Sequence, residues 1–244
     1  MYISKKFIYI HIPKSGGQSL LRIFNNSSFL LRGRQVRFHQ SVANINADRL
    51  KDKKIYAVVR NPWEWYVSWF HYLRDNPSLN NALYKAISED GENDFDKSMN
   101  RLFDMIEEGT GELSDAFDTK LEDVNSRRPL QFVGDDMDRI TAWDCGLQSY
   151  YFHWLVFGNN EVHDFSDVVI GKQESSREDA TKFFESLELM NERFKKRLAN
   201  HRRLNKCKID TSDYQSYYSD ALRDRVAKKE QYIIENYNYS FKRE

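Results

Sequence analysis

At 244 residues the chain has the length of one good-sized domain, and its 40% hydrophobic and 14% aromatic content is enough to fill a core, which excludes global disorder. Lys and Arg together number 37, as do Asp and Glu, so the formal charge is zero and no overall field draws the chain to DNA, RNA or an anionic membrane. An anionic ligand therefore has to be held by local chemistry.

The run from Lys5 to Ile12, apolar, β-branched and aromatic, and bounded by Pro13 and the Gly16-Gly17 pair, predicts a buried strand. From Ser19 to Asn25, Leu20, Leu21 and Phe24 recur at helical spacing, completing a strand, turn and helix. Gln35 to Phe38 is expected to form a short strand, and Ser41 to cap a helix running to about Leu50. Lys54 to Arg60 is a second strand, stopped by Asn61-Pro62. Trp63 to Arg74 then resumes an amphipathic helical pattern, with Pro62 in its first turn where a missing N–H costs nothing.

Ser78 to Asp123 is helical and strongly acidic, which reads as a solvated helical insertion near residues 78–125. Asp167 to Gly171 is a third strand, and helices are expected over Glu178–Leu187, Met190–Asn200 and Ser219–Asn236. Strands alternating with helices predict an α/β fold, a P-loop-like parallel sheet flanked by helices. With no repeat and no Pro/Gly/Ser linker, a single domain over residues 1–244 is expected.

No stretch approaches the roughly 20 apolar residues of a membrane span, and no secretory leader precedes the first strand, so a soluble, cytoplasmic chain is expected. The two cysteines, Cys145 and Cys207, show neither CxxC nor Cys/His spacing, so neither a disulfide framework nor a metal site is expected.

Two segments carry chemistry. Pro13, Lys14, Ser15, Gly16, Gly17, Gln18 and Ser19 sit where the first strand gives way to a helix, and there free backbone N–H groups and the helix dipole favour an anion. The glycines allow close backbone approach, and Lys14 adds a mobile positive charge. Lys14 precedes the glycines, so the GxxxxGK(S/T) order of nucleoside-triphosphate loops is absent. Arg60 ends the second strand at the carboxyl edge of the sheet, and Ser68, two turns into the next helix, can face the same crevice. An Arg fork with a hydroxyl suits a phosphate monoester. Each feature also has a plain structural reading, a common Gly-Gly turn for the loop and a surface ion pair for Arg60.

The first segment resembles the PKTGGTS-type 5′-phosphosulfate loop of sulfotransferases, particularly the carbohydrate-type family, and the second resembles that family's RNPWDRLVS-type 3′-phosphate motif. Ser15 and Gln18 stand where the family has Thr, and Trp65 where it has a second Arg. Ile170 to Glu174 and Tyr214 to Leu222 are similar to later family segments.

The resemblance implies transfer of a sulfuryl group from 3′-phosphoadenosine 5′-phosphosulfate (PAPS) to an acceptor hydroxyl, that of a carbohydrate by family likeness. The product 3′-phosphoadenosine 5′-phosphate (PAP) leaves, and no metal is required. It assigns the cofactor to Pro13 through Ser19 with Arg60 and Ser68. It assigns catalysis to Lys14 and to His39, an imidazole suited to take the acceptor's proton near pH 7. A PAPS- or PAP-binding module without transfer, and a P-loop-like kinase, are the competing readings. The basic cluster from Arg193 to Lys208 fits either a solvated helix face or a cleft wall for the cofactor or an acidic glycan.

Overall fold

The computed structural model describes residues 1–36, 40–76, 83–88, 91, 93–109, 144–158, 167–200 and 211–241. In chain order the elements are β1 (Tyr2–Ile3), β2 (Phe7–Ile10), α1 (Gly17–Asn26), α2 (Ser28–Leu31), β3 (Arg34–Gln35), α3 (Ala47–Leu50), β4 (Lys54–Val59) and α4 (Pro62–Asp75). There follow α5 (Phe95–Glu108), α6 (Leu147–Phe152), β5 (Val168–Lys172), α7 (Ser176–Ser186), α8 (Glu192–Ala199), α9 (Asp220–Lys229) and α10 (Gln231–Asn236). Their contacts define two compact units, Met1–Arg60 with Tyr151–Lys206, and Asn61–Tyr150 with Cys207–Glu244.

The first unit is α/β. Its five strands run in the order β3-β1-β2-β4-β5. Three of the strands expected from the sequence, β2, β4 and β5, pair in parallel, Ile8 opposite Ile55 and Ala57 opposite Ile170. Both faces of β2 are buried, as parallel strands under helices require. The two-residue strands β1 and β3 add an antiparallel margin.

Aromatic side chains fill the space between sheet and helices. The Phe7 ring lies edge-on to Phe24, Phe183 and Phe184 at 5.9, 5.8 and 5.0 Å, and Tyr56 stacks on Phe183 at 4.5 Å. Each ring so buried contributes about 1.5–3 kcal/mol from apolar burial.

The helix expected from Ser41 to Leu50 is two short pieces. Ser41 Oγ accepts from Ala43 N at 3.3 Å and donates to the Trp154 carbonyl at 2.6 Å, capping a 3-10 turn over Val42–Asn44. The Asn46 side chain then accepts from Asp48 N at 2.8 Å and starts α3 afresh. Of the strand expected from Gln35 to Phe38, only Gln35 lies in a strand, β3, which begins at Arg34; Val36 is outside it, and residues 37–39 lie outside the described residues.

The second unit is helical among its described residues. In α4, Asn61 accepts from Trp63 N and Glu64 N, and Pro62 occupies the first turn as the sequence predicts. The described part of the acidic stretch contains α5, whose Phe95, Met99, Leu102, Phe103 and Ile106 are buried. Its acidic side is paired: Arg225 meets Asp104 and Glu107 at 2.7 and 2.8 Å, and Lys229 meets Glu107 at 3.1 Å. Residues 110–143 lie outside the described residues.

The last expected helix, Ser219–Asn236, breaks into α9 and α10 at Glu230, whose φ of −105° and ψ of 18° end the first piece. The Glu230 carboxylate is turned inward, accepting from Tyr66 Oη, Gln148 N and Ser149 N at 2.7, 3.0 and 2.8 Å. Ser149 Oγ donates to it as well, at 2.6 Å. Among the described residues no helix is long and apolar enough to cross a membrane.

Candidate functional site

The loop from Pro13 to Ser19 joins β2 to α1 within the first unit. Pro13, Ser15 and Gly17 are buried, while Gly16 is exposed and Lys14, Gln18 and Ser19 are half-buried. The outer lip of the loop is therefore Lys14, Gly16 and the first turn of α1. Gly16 is the N-cap at φ 72°, with no side chain to cap the helix, and no acidic residue stands in the first turn. The first N–H groups of α1 lie at the positive end of the helix dipole with no carboxylate nearby in sequence to neutralise it.

Lys14 is itself left-handed, at φ 58°, a conformation costing a non-glycine residue about 1–2 kcal/mol. Two hydrogen bonds hold the loop in that shape: Arg60 Nη1 donates to the Lys14 carbonyl at 3.1 Å, and Ser15 Oγ donates to the Pro13 carbonyl at 3.4 Å. Where the family resemblance places a Thr, Ser15 thus spends its hydroxyl on the loop.

Gly17 is there for close approach. A Cβ added to it would lie 2.2 Å from His11 Cδ2 and 2.3 Å from Tyr9 Oη. Both neighbours are buried on or beside β2 and cannot retreat. Gly17→Ala is expected to displace the first turn of α1 and to lower stability by about 1–3 kcal/mol, the usual cost of overpacking. Urea unfolding checks this, and an unchanged midpoint would contradict it.

Arg60 closes the first unit. It is 7% exposed, at the carboxyl end of β4, and of its five N–H donors Nη1 serves the Lys14 carbonyl. The two sequence motifs therefore meet through one side chain to backbone hydrogen bond. Ser68 lies in the second unit, in α4, 3% exposed. Trp65, also in α4, is fully buried, stacked on Trp69 at 5.9 Å and edge-on to Tyr66 at 5.0 Å, a packing residue where the resemblance expects an Arg.

His39 lies outside the described residues. Of the other histidines, His11 packs under Gly17. His71 is buried edge-on to Phe70 and Tyr217; burial, then the Arg74 charge, push its imidazole down to about 4, so it is neutral at pH 7. Burial likewise lowers His153, which packs on Phe152 and Phe157.

In the basic cluster, α8 buries Phe194 and Leu198 and leaves Arg193, Lys195 and Lys196 in solvent, while Arg197 donates to Ser27 Oγ at 3.0 Å. Its remaining members, from Arg202 onward, fall outside the described residues. Among the described residues no group of three or more His, Cys, Asp or Glu is arranged to hold a metal.

Two neighbours of the loop escaped the sequence reading. Tyr9 brings its buried hydroxyl beneath Gly17, and Gln173 lays its side chain on Gly16. A signal for Gln173 was present: it follows the third strand at the carboxyl edge, where open α/β sheets gather ligand contacts.

The first unit is thus an α/β body with an anion-type strand-loop-helix junction at the carboxyl edge of its parallel strands. No protein-family model matches the chain, and no curated protein does. Among solved structures it is similar to mouse sulfotransferase SULT7A1 complexed with PAP, at 15% identity, over 98% of this chain and 87% of that one, with a TM-score of 0.47.

Proposed function

We propose that the chain is a PAPS-dependent sulfotransferase acting on an acceptor hydroxyl, with a carbohydrate as the acceptor class implied by its motifs. One observation carries the reading: the Arg60 guanidinium of the second motif is hydrogen-bonded to the Lys14 carbonyl of the first, at 3.1 Å. Two segments that sequence alone associates with the two ends of one bisphosphorylated nucleotide are thereby tied to each other.

The loop fits a phosphosulfate. Glycine at 16 and 17 lets the loop close on Gln173 and on His11 and Tyr9, the first turn of α1 carries no acidic residue, and Lys14 stands at the rim. When bound, PAPS supplies the sulfuryl group. Pro13 through Ser19 would hold its phosphosulfate, the Lys14 ammonium and the backbone at the start of α1 supplying positive charge to the oxygen on which charge builds. By the motif resemblance alone, Arg60 and Ser68 would hold the 3′-phosphate and His39 would take the acceptor's proton.

Arg60→Ala is expected to weaken PAP binding about 10- to 100-fold, the usual loss for a hydrogen bond to a charged group. Calorimetry measures it, and an unchanged affinity would refute the role.

Buried Trp65, standing in place of an Arg, favours a second reading, a PAP-binding module that has lost transfer. Incubation with PAPS labelled in its sulfuryl group and a panel of hydroxyl acceptors separates the two. Label on any acceptor supports the enzyme; PAP binding with no labelled acceptor supports the module.

A further inference from the structure

The charges that cancel over the whole chain are separated along it. The first acidic residue is Asp48, and seven lysines and arginines precede it. Folding of the first unit gathers part of that excess around the junction of α1 and α2. Arg22 is exposed on α1, about one turn before Asn26. Arg197 Nη1 donates to the Asn26 carbonyl and to Ser27 Oγ, which fastens α8 beside the junction. Arg193 is exposed one turn earlier on α8, about 40° around the helix from Arg197, whereas Glu192, the one acidic residue of that helix, stands about 140° away. Arg32, also exposed, ends α2 in the left-handed region at φ 47°. Among the described residues no carboxylate pairs with Arg22, Arg32 or Arg193.

From the same junction projects Phe29. Helix α2 turns Leu31 into the core beside Phe24 and leaves Phe29 92% exposed, where the next most exposed large apolar side chains among the described residues, Val169 and Tyr232, reach 38% and 36%. A ring left in water forgoes about 1.5–3 kcal/mol of burial, so nothing in the folding of this unit calls for Phe at position 29. A scattered apolar side chain on a surface needs no explanation, but a whole aromatic ring standing among unpaired arginines combines the two features of an interfacial anchor.

We propose that this face docks the protein reversibly onto an anionic lipid surface, Phe29 entering among the headgroups while Arg22, Arg32 and Arg193 meet the lipid phosphates. Charge complementarity selects the anion, and the ring selects lipid among anions. A projecting ring enters the acyl boundary with no shaped pocket opposite it, whereas an acidic polysaccharide would be held by the arginines and offers Phe29 no apolar phase. With one ring and three cations the attachment is weak and falls with added salt.

The test is sedimentation of the full chain at low ionic strength with vesicles of phosphatidylcholine containing about a third phosphatidylserine, and with phosphatidylcholine alone, for wild type and variants. Wild type is expected to bind the anionic vesicles at least tenfold more tightly than the neutral ones. Phe29→Ser is expected to lose about tenfold on anionic vesicles with its urea midpoint unchanged, since the ring packs on nothing, and Phe29→Trp to retain binding. Arg22→Glu combined with Arg32→Glu is expected to lose at least tenfold.

Wild type that stays in the supernatant with anionic vesicles overturns the inference, and so does equal binding by wild type and Phe29→Ser, or equal binding to the two vesicle types. Retention on an immobilised anionic polysaccharide that Phe29→Ser leaves unchanged, with no vesicle binding, overturns it in favour of an acidic glycan. None of these outcomes bears on PAP binding, so the sulfotransferase reading stands or falls separately.

Discussion

Lys14→Ala is expected to lower sulfuryl-transfer turnover about a hundredfold, some 2.7 kcal/mol, the size usual for losing one positioned donor to a developing oxyanion. The backbone of residue 14 is held in the left-handed region at φ 58° by Arg60 Nη1 on its carbonyl, so truncation removes the ammonium while the loop keeps an anchor. The loss should fall on kcat more than on the KM for PAPS, because charge at the leaving oxygen is greatest in the transition state. Lys14→Gly separates side chain from backbone. Glycine relaxes the left-handed cost, so equal losses in the Ala and Gly variants assign the effect to the ammonium, whereas recovery in Gly would assign it to loop geometry. Turnover unchanged in both variants would remove Lys14 from the mechanism.

Glu230→Ala is expected to be the most destabilising single change in the second unit. Burial pushes the Glu230 carboxyl up from its ordinary range, while donors from Ser149, Tyr66 and the Gln148 backbone pull the other way. Removing the carboxylate strands the Tyr66 hydroxyl and the backbone N–H groups of Gln148 and Ser149, all buried, at about 1–3 kcal/mol for each unsatisfied group. A total loss of about 3 kcal/mol or more corresponds to a fall in Tm of about 6–12 °C for a chain of this size. Glu230→Gln keeps one acceptor oxygen and is expected to lose less. Thermal unfolding that leaves Glu230→Ala within a degree of wild type would contradict the account of how α9 ends.

What could be read from sequence follows from how local each signal is. The strands β2, β4 and β5 were legible because they are short, continuous apolar runs rich in β-branched residues; β2 and β4 are buried on both faces, whereas β5 is only partly covered. At two residues, β1 carries no periodicity to detect, and β3 was expected only as a strand displaced toward Phe38. The break at Glu230 was hidden because its partners, Tyr66, Gln148 and Ser149, lie 164, 82 and 81 residues away in the chain.

The same holds at the site. Loop position and the glycines were visible from the strand-to-helix transition, and Arg60 from its place at a strand end. That Arg60 braces the Lys14 carbonyl depends on the parallel pairing of β2 with β4, and Gln173 reaches Gly16 only once β5 has added beside β4. Trp65 could be noted as a departure from a motif, but its burial against Trp69 is a property of the packed helix.

The most direct test is a calorimetric titration of the protein with PAP, repeated with ATP and with adenosine 5′-phosphosulfate. Micromolar binding of PAP, with much weaker binding of the other two because neither carries a 3′-phosphate, is the result expected for a loop and an Arg60 that together hold a 3′,5′-bisphosphorylated nucleotide. No binding of PAP, or a preference for ATP, would contradict it.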